Sequence, residues 1–214
     1  MNRSRINVLV CTGGGCVASG AMEISAAFKE AIDRFGLDGE IRIIETGCLG
    51  PCASGPVAAI YPDGVLYQNL KPEHAEEIVE EHLLKGRIVS RLAAEAEAAG
   101  QVAPPLQELS FFRKQVKIVL RNCGLIDPLR IEEYIARDGY QALAKVLSKM
   151  TPEAVIDEIK HSGLRGRGGA GFPTGLKWDL CRRSPGDTKY VLCNADEGDP
   201  GAFMDRSVLE GDPH

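Results

Sequence analysis

RINVLVCTGGGC, residues 5–16, decides how the first part of this chain folds. From Arg5 to Val10 apolar residues alternate as on a strand, and the run delivers Cys11-Thr-Gly-Gly-Gly-Cys16 at its end. From Ala18 to Phe35 the residues Ile24, Ala27, Phe28, Ala31, Ile32 and Phe35 recur at helical spacing, with Gly36 as a C-terminal stop. Glu40 to Glu45 reads as a second strand that delivers Cys48-Leu-Gly-Pro-Cys52. The helix carries the chain about 27 Å and the strand returns it about 20 Å, so both cysteine pairs fall at the same edge. A right-handed crossover makes the two strands parallel neighbours, and the loops at their carboxyl ends can meet. Val57 to Tyr61 and Val65 to Tyr67 form a hairpin about Pro62-Asp63-Gly64, followed by a helix from Pro72 to Leu84.

The resulting order, strand, helix, then three strands and a closing helix, is that of a thioredoxin-like fold. Seven cysteines are an odd count, and four of them fall in two tight pairs, which argues against a secreted disulfide framework. Thiolates brought together in a reducing compartment select zinc or iron–sulfur clusters. Structural zinc sites favour two-residue gaps, whereas this chain leaves four residues between Cys11 and Cys16 and three between Cys48 and Cys52. A redox dithiol lacks its C-x-x-C. Cys123, Cys181 and Cys193 read as packed rather than ligating, and His74, His82 and His161 as polar-face residues without a role.

With 214 residues, 44% hydrophobic and 26% charged, the chain is an ordinary globular one with room for two small domains. A net charge of −5 gives no support to nucleic-acid binding. No apolar run approaches the ~20 residues of a membrane span, and residues 1–10 are too polar for a signal peptide. The expected location is cytoplasmic, with peripheral attachment to a membrane complex as the variant. Lys85 to Ser110 is rich in Ala, Glu and Gln with Gly100 and Pro104-Pro105, which predicts a linker. Arg113, Lys114, Lys117 and Arg121 form a basic cluster that reads as a solvated face before it reads as a docking site.

Beyond the linker, short helices over 128–136 and 139–147 lead to a third that starts at Thr151 as N-cap and Pro152 as N1. It runs into SGLRGRGGAGFPTGLKW, residues 162–178. Gly166, Gly168, Gly169 and Gly171 can take positive φ and turn consecutive amide N–H groups inward around an anion, while Arg165, Arg167 and Lys177 add positive charge. Gly166-x-Gly168-x-x-Gly171 fits the dinucleotide fingerprint, but a helix precedes it where a Rossmann unit requires a strand. Tyr190 to Cys193 then reads as a buried strand ending in Asn194-Ala-Asp-Glu-Gly-Asp-Pro-Gly201. There Asp196, Glu197 and Asp199 suit ring N–H groups or ribose hydroxyls rather than phosphate.

GLRGRGGAGFPTGLKW and NADEGDPGAFMDR together closely resemble the flavin-binding subunit of respiratory complex I and its soluble relatives in NAD(P)-reducing hydrogenases, bifurcating hydrogenases and NAD-linked formate dehydrogenases. The likeness runs from about Phe111 to His214. It implies FMN contacts at Gly166, Gly168, Lys177, Asn194, Asp196 and Glu197, within a loop that also holds Arg167, Gly169 and Gly171, and Phe172 stacking on the nicotinamide nucleotide. Family members often carry Glu where this chain has Asp199, so the nucleotide contact there leaves NAD against NADP unassigned. The cysteine pattern resembles the thioredoxin-like 2Fe-2S ferredoxin domain found in the small flavin-partner subunit of complex I and fused to some hydrogenase flavin subunits. That resemblance implies Cys11, Cys16, Cys48 and Cys52 as ligands of a 2Fe-2S cluster.

The expected whole is α/β: a thioredoxin-like ferredoxin domain over 1–85, a linker over 86–110, and a partial α/β flavin-binding domain over 111–214. The resemblance implies an electron-input subunit of an NAD(P)H oxidoreductase, exchanging hydride between NAD(P)H and FMN and feeding iron–sulfur clusters, with other iron–sulfur subunits as partners. Hydride transfer needs no protein acid or base, so no catalytic residue is nominated. The rival is a ferredoxin module with a non-functional flavin domain, acting as an electron-transfer or assembly subunit. The chain is also expected to be the N-terminal part of a longer polypeptide and inactive alone.

Overall fold

A computed structural model describes residues 4–95 and 103–214. Four strands, β1 (Ile6–Cys11), β2 (Ile41–Thr46), β3 (Ala58–Tyr61) and β4 (Val65–Tyr67), form one sheet in the order β2-β1-β3-β4. β1 and β2 are parallel from Ile6↔Ile41 to Cys11↔Thr46, and the other pairings are antiparallel. The register sets Cys11 beside Thr46, so the loops that leave β1 and β2 start level with one another.

The single helix expected over 18–35 is two: α1 (Gly14–Ala18) and α2 (Ala21–Arg34). Gly20 divides them at φ +94°, a left-handed conformation that lets α2 start on a new axis. α2 buries Ile24, Phe28, Ala31 and Ile32 against the fully buried Val8, Leu9 and Val10 of β1. Each large apolar side chain so buried contributes about 1.5–3 kcal/mol. α3 (Glu73–Glu77) continues into a wider π turn over Ile78–Leu84 and closes the core with Ile78, Val79 and Leu83.

The described parts of 86–110 pack on this core rather than hang free. Val89, Leu92, Ala93 and Ala94 join the same buried cluster, as do Ala103, Leu106 and Leu109. Ala93 bridges Tyr67, the Ala94 N–H donates to the Leu66 carbonyl at 2.8 Å, and Leu106 N–H donates to Gly64 at the same distance. Composition alone hides this, because alanine is as much at home in a core as on a linker. Gly100 lies outside the described residues.

The chain divides into two units, one running up to Tyr134 and resuming at Glu197–His214, the other Ile135–Asp196. The boundary at Tyr134 falls within the short α4 (Ile131–Ile135). The second holds α5 (Gln141–Lys149), α6 (Pro152–Ser162) and α7 (Thr174–Arg183). As expected, Thr151 caps α6, its Oγ1 accepting the Ala154 N–H at 3.2 Å, and Pro152 opens the first turn. α6 and α7 pack where Gly175 meets Lys160; a Cβ at 175 would lie 2.7 Å from the Lys160 backbone nitrogen. Tyr190–Cys193 is not the buried strand expected: Tyr190, Val191 and Leu192 are 78–100% exposed, and among the described residues no strand pairs with them. A hydrophobic run becomes a strand only where a neighbour takes its N–H and C=O groups. The first unit closes with α8 (Met204–Gly211).

Candidate functional site

Cys11 ends β1 and Cys16 sits in α1, both buried; Cys48 is half-buried and Cys52, after β2, exposed. The two loops interlock through glycine. A Cβ on Gly13 would lie 2.8 Å from the Cβ of Cys48, and one on Gly55 would lie 3.0 Å from the Cys16 sulfur. The Leu49 N–H points at the Cys11 sulfur at 3.4 Å, and the Cys48 and Cys52 sulfurs are 3.8 Å apart. The Cys11 thiol beside Cys16 pulls the latter down to about 7, while the same contact pushes Cys11 up to about 11. Cys48 is pushed up by Cys11 and then by burial, and Cys52 mainly by burial. Thiols this crowded resist a second ionisation until metal charge compensates them.

The donor set is all sulfur, the cradle is glycine, and an amide already faces one sulfur. Among the described residues no group of three or more His, Cys, Asp or Glu side chains is already arranged to hold a metal ion. A two-iron cluster spreads its four thiolates over two metals, so the residues fit that group. Cys123 is buried beside the site, its thiol donating to the Cys48 carbonyl at 3.5 Å, as a packed cysteine should. Cys181 and Cys193 are exposed, against expectation, because each lies on a segment with little packed over it.

The glycine loop is built as a closed neck with an open rim. Arg165 bridges Pro173, Gly166 N–H donates to Phe172 O at 2.9 Å, and Thr174 N–H donates to Leu164 O at 3.0 Å. The Arg165 guanidinium spans the loop to the Gly171 carbonyl at 3.0 Å, so it holds the loop's shape. Gly169 and Gly171 take φ of +104° and +61°. A Cβ on Gly168, Gly169 or Gly171 would meet nothing within 4 Å. No protein atom needs those positions to be glycine for space, and the room they leave is on the open rim. Phe172 is exposed, and Lys177 stands in the first turns of α7. The site residues from Gly166 to Asp196 lie in the second unit and Glu197 and Asp199 in the first. Asn194 accepts the Asp196 N–H through its side chain at 3.1 Å, and neither residue hydrogen-bonds to the loop. Glu197 takes φ +50°, and its carboxylate receives the N–H groups of Asp205 and Arg206 at 2.7 and 3.0 Å, capping α8.

Residues 2–83 match the family model of thioredoxin-like [2Fe-2S] ferredoxins, and residues 159–214 match that of the Nuo51 FMN-binding domain. Each model covers less than half of the chain, which is similar to the one family over its first part and to the other over its last. The NADP-reducing hydrogenase subunit HndC of Solidesulfovibrio fructosivorans is 64% identical over 102 residues, 48% of this chain and 20% of that protein. The NAD-reducing hydrogenase HoxS subunit alpha of Cupriavidus necator is 35% identical over 195 residues, 87% of this chain and 30% of that protein. The chain thus spans less than a third of the length of either. A thioredoxin-like [2Fe-2S] ferredoxin of Aquifex aeolicus, known from its crystal structure, is 38% identical over 42% of this chain and 97% of its own, with a TM-score of 0.40.

Three parts of the ferredoxin unit carry no signature in the sequence. A cavity of about 220 Å³ beside Cys48 and Cys52 is walled on one side by Phe203, Arg206 and Ser207 of the returning chain. Arg113, Lys117 and Arg121 rim another of about 270 Å³ that reaches Leu49 and Cys123, so three members of the basic cluster line a concavity. His82, expected on a polar face, is buried between Tyr67 and Asp63, with Nδ1 2.9 Å from the Tyr67 hydroxyl and Nε2 3.0 Å from the Asp63 carboxylate. Among the described residues no helix is long and apolar enough to cross a membrane.

Proposed function

We propose that this chain is the electron-input part of an NAD(P)H oxidoreductase complex of the NADH-quinone oxidoreductase or NAD(P)-reducing hydrogenase type. When bound, FMN supplies a two-electron acceptor that releases electrons singly, and a [2Fe-2S] cluster supplies a one-electron carrier. The observation that carries the reading is the glycine loop: a neck closed by its own hydrogen bonds, with room left open at Gly168, Gly169 and Gly171. Its backbone N–H groups, with Arg167 and Lys177, hold the flavin phosphate and ring edge. Phe172 offers an exposed face for the nicotinamide nucleotide. Asn194, Asp196 and Glu197 supply further FMN contacts, and Asp199 a contact to the nicotinamide nucleotide.

Cys11, Cys16, Cys48 and Cys52 hold the cluster. Other iron–sulfur subunits of the complex take the electrons onward, in the cytoplasm or at the face of a membrane complex. The test is cofactor content after mild anaerobic purification. Iron and sulfide near two each per chain are expected, with FMN taken up on reconstitution with excess flavin. Iron and sulfide with no FMN, even after reconstitution with excess flavin, would instead make the chain an electron-carrying module.

A further inference from the structure

α8 returns from the flavin-family segment to cover the loops that carry the cysteines. Both of its ends are anchored. Glu197 caps its start, and at its end Gly211 lies so close to Gly47 that a Cβ on the latter would fall 2.5 Å from the Gly211 Cα. Just beyond, the Asp212 carboxylate receives the Asn122 backbone and side-chain N–H groups at 2.8 and 3.1 Å. Between these anchors Arg206 is aimed at the site. Its Nε donates to Glu210 at 2.8 Å, and the Nη1 end lies over Gly14, 3.4 Å from where a Cβ would stand. Gly13, Gly14, Cys48 and Cys52 line the opposite side of the same 220 Å³ cavity.

We propose that Arg206 is a positioning residue for the cysteine site, its guanidinium setting the reduction potential of the cluster the four cysteines hold. The proposal rests on the reading that those cysteines ligate a [2Fe-2S] cluster. One-electron reduction adds one negative charge to the cluster, and a fixed positive group beside it favours that state. Potentials of such clusters respond to net charge and hydrogen bonding near the sulfurs. Glu210 opposes the effect, since its carboxylate offsets part of the Arg206 charge at the same place. The pair is about half exposed, so salt screens its influence.

The experiment is an anaerobic dithionite titration of the whole chain with mediator dyes, followed by visible absorption, after iron and sulfide have been measured. Arg206→Gln is expected to shift the potential downward, Arg206→Lys to stay near wild type, and Glu210→Gln to shift it upward. All shifts should shrink in 1 M salt, where the Debye length is about 3 Å. An Arg206→Gln chain with full cluster content and the wild-type potential overturns the proposal. If that variant sheds its cluster, an unchanged potential in Glu210→Gln does so instead. A wild-type chain that binds no iron or sulfide overturns the cysteine reading itself and is recognised before any titration.

Discussion

Gly13 stands so close to Cys48 that a Cβ on it would lie 2.8 Å from the Cys48 Cβ and 3.0 Å from its Cα. Its φ of −59° is open to any residue, so the demand for glycine is one of space alone. Gly13→Ala should therefore push the two cysteine loops apart while leaving the sheet intact. Iron and sulfide per chain should fall by more than half, with the far-ultraviolet circular dichroism unchanged. Full cluster content in Gly13→Ala would mean the loops meet differently.

Five cysteines gather at this end of the sheet, and only four are assigned to the cluster. Cys123 spends its thiol on the Cys48 carbonyl at 3.5 Å, and burial pushes its own ionisation up. Cys48→Ser should abolish the visible absorption of the cluster. Cys123→Ser should keep it, since a hydroxyl can make the same hydrogen bond at a cost of about 1 kcal/mol or less in lost packing. Loss of iron in both variants would place Cys123 among the ligands.

Two glycines of the flavin-family segment predict opposite behaviour. A side chain at Gly168 meets no protein atom within 4 Å, whereas one at Gly175 meets the Lys160 backbone at 2.7 Å. Gly168→Val should unfold at the wild-type temperature yet lose FMN binding, because the branched side chain fills the open rim. Gly175→Val should force α6 and α7 apart and cost about 1–3 kcal/mol. Unchanged FMN affinity in Gly168→Val would remove that residue from the flavin site.

The order of the four strands and their helices and the meeting of the cysteine loops were legible because each depends on local pattern. The alternation through Val10 and the helical spacing of Ile24, Phe28, Ala31 and Ile32 specify elements, and chain length with crossover handedness brings their ends together. What stayed hidden depends on partners far away in sequence. Arg206 reads as one more exposed charge until α8 docks on the loop at Gly14, 192 positions earlier. Tyr190–Cys193 carries the composition of a strand, but a strand needs a neighbour, and the described residues offer none. His82 sits among Glu80 and Glu81 and so takes on their polar appearance, while its partners come from the hairpin.

That histidine gives the last prediction. The Val89 N–H donates to the Tyr67 hydroxyl at 3.1 Å, and in a neutral ring with its proton on Nε2 that hydroxyl donates to Nδ1 of His82 while Nε2–H donates to Asp63. Burial holds the His82 pKa below its ordinary 6.5, with Asp63 opposing in part. A folded-state pKa lowered in this way gives stability that is present above pH 6.5 and is lost as pH falls through the folded value. Protonation of Nδ1 makes it a donor, so the Tyr67 hydroxyl must turn its own proton away and accept from both the ring and the Val89 N–H, which weakens its hold on the Val89 segment. Exchange of the Val89 amide, corrected for intrinsic rate, should accelerate between pH 7 and pH 5. Tyr67→Phe leaves that buried N–H without its acceptor, so it should cost about 1–3 kcal/mol at pH 7 and flatten the pH response. A Val89 exchange rate that ignores pH in the wild type would show that the network does not titrate with His82.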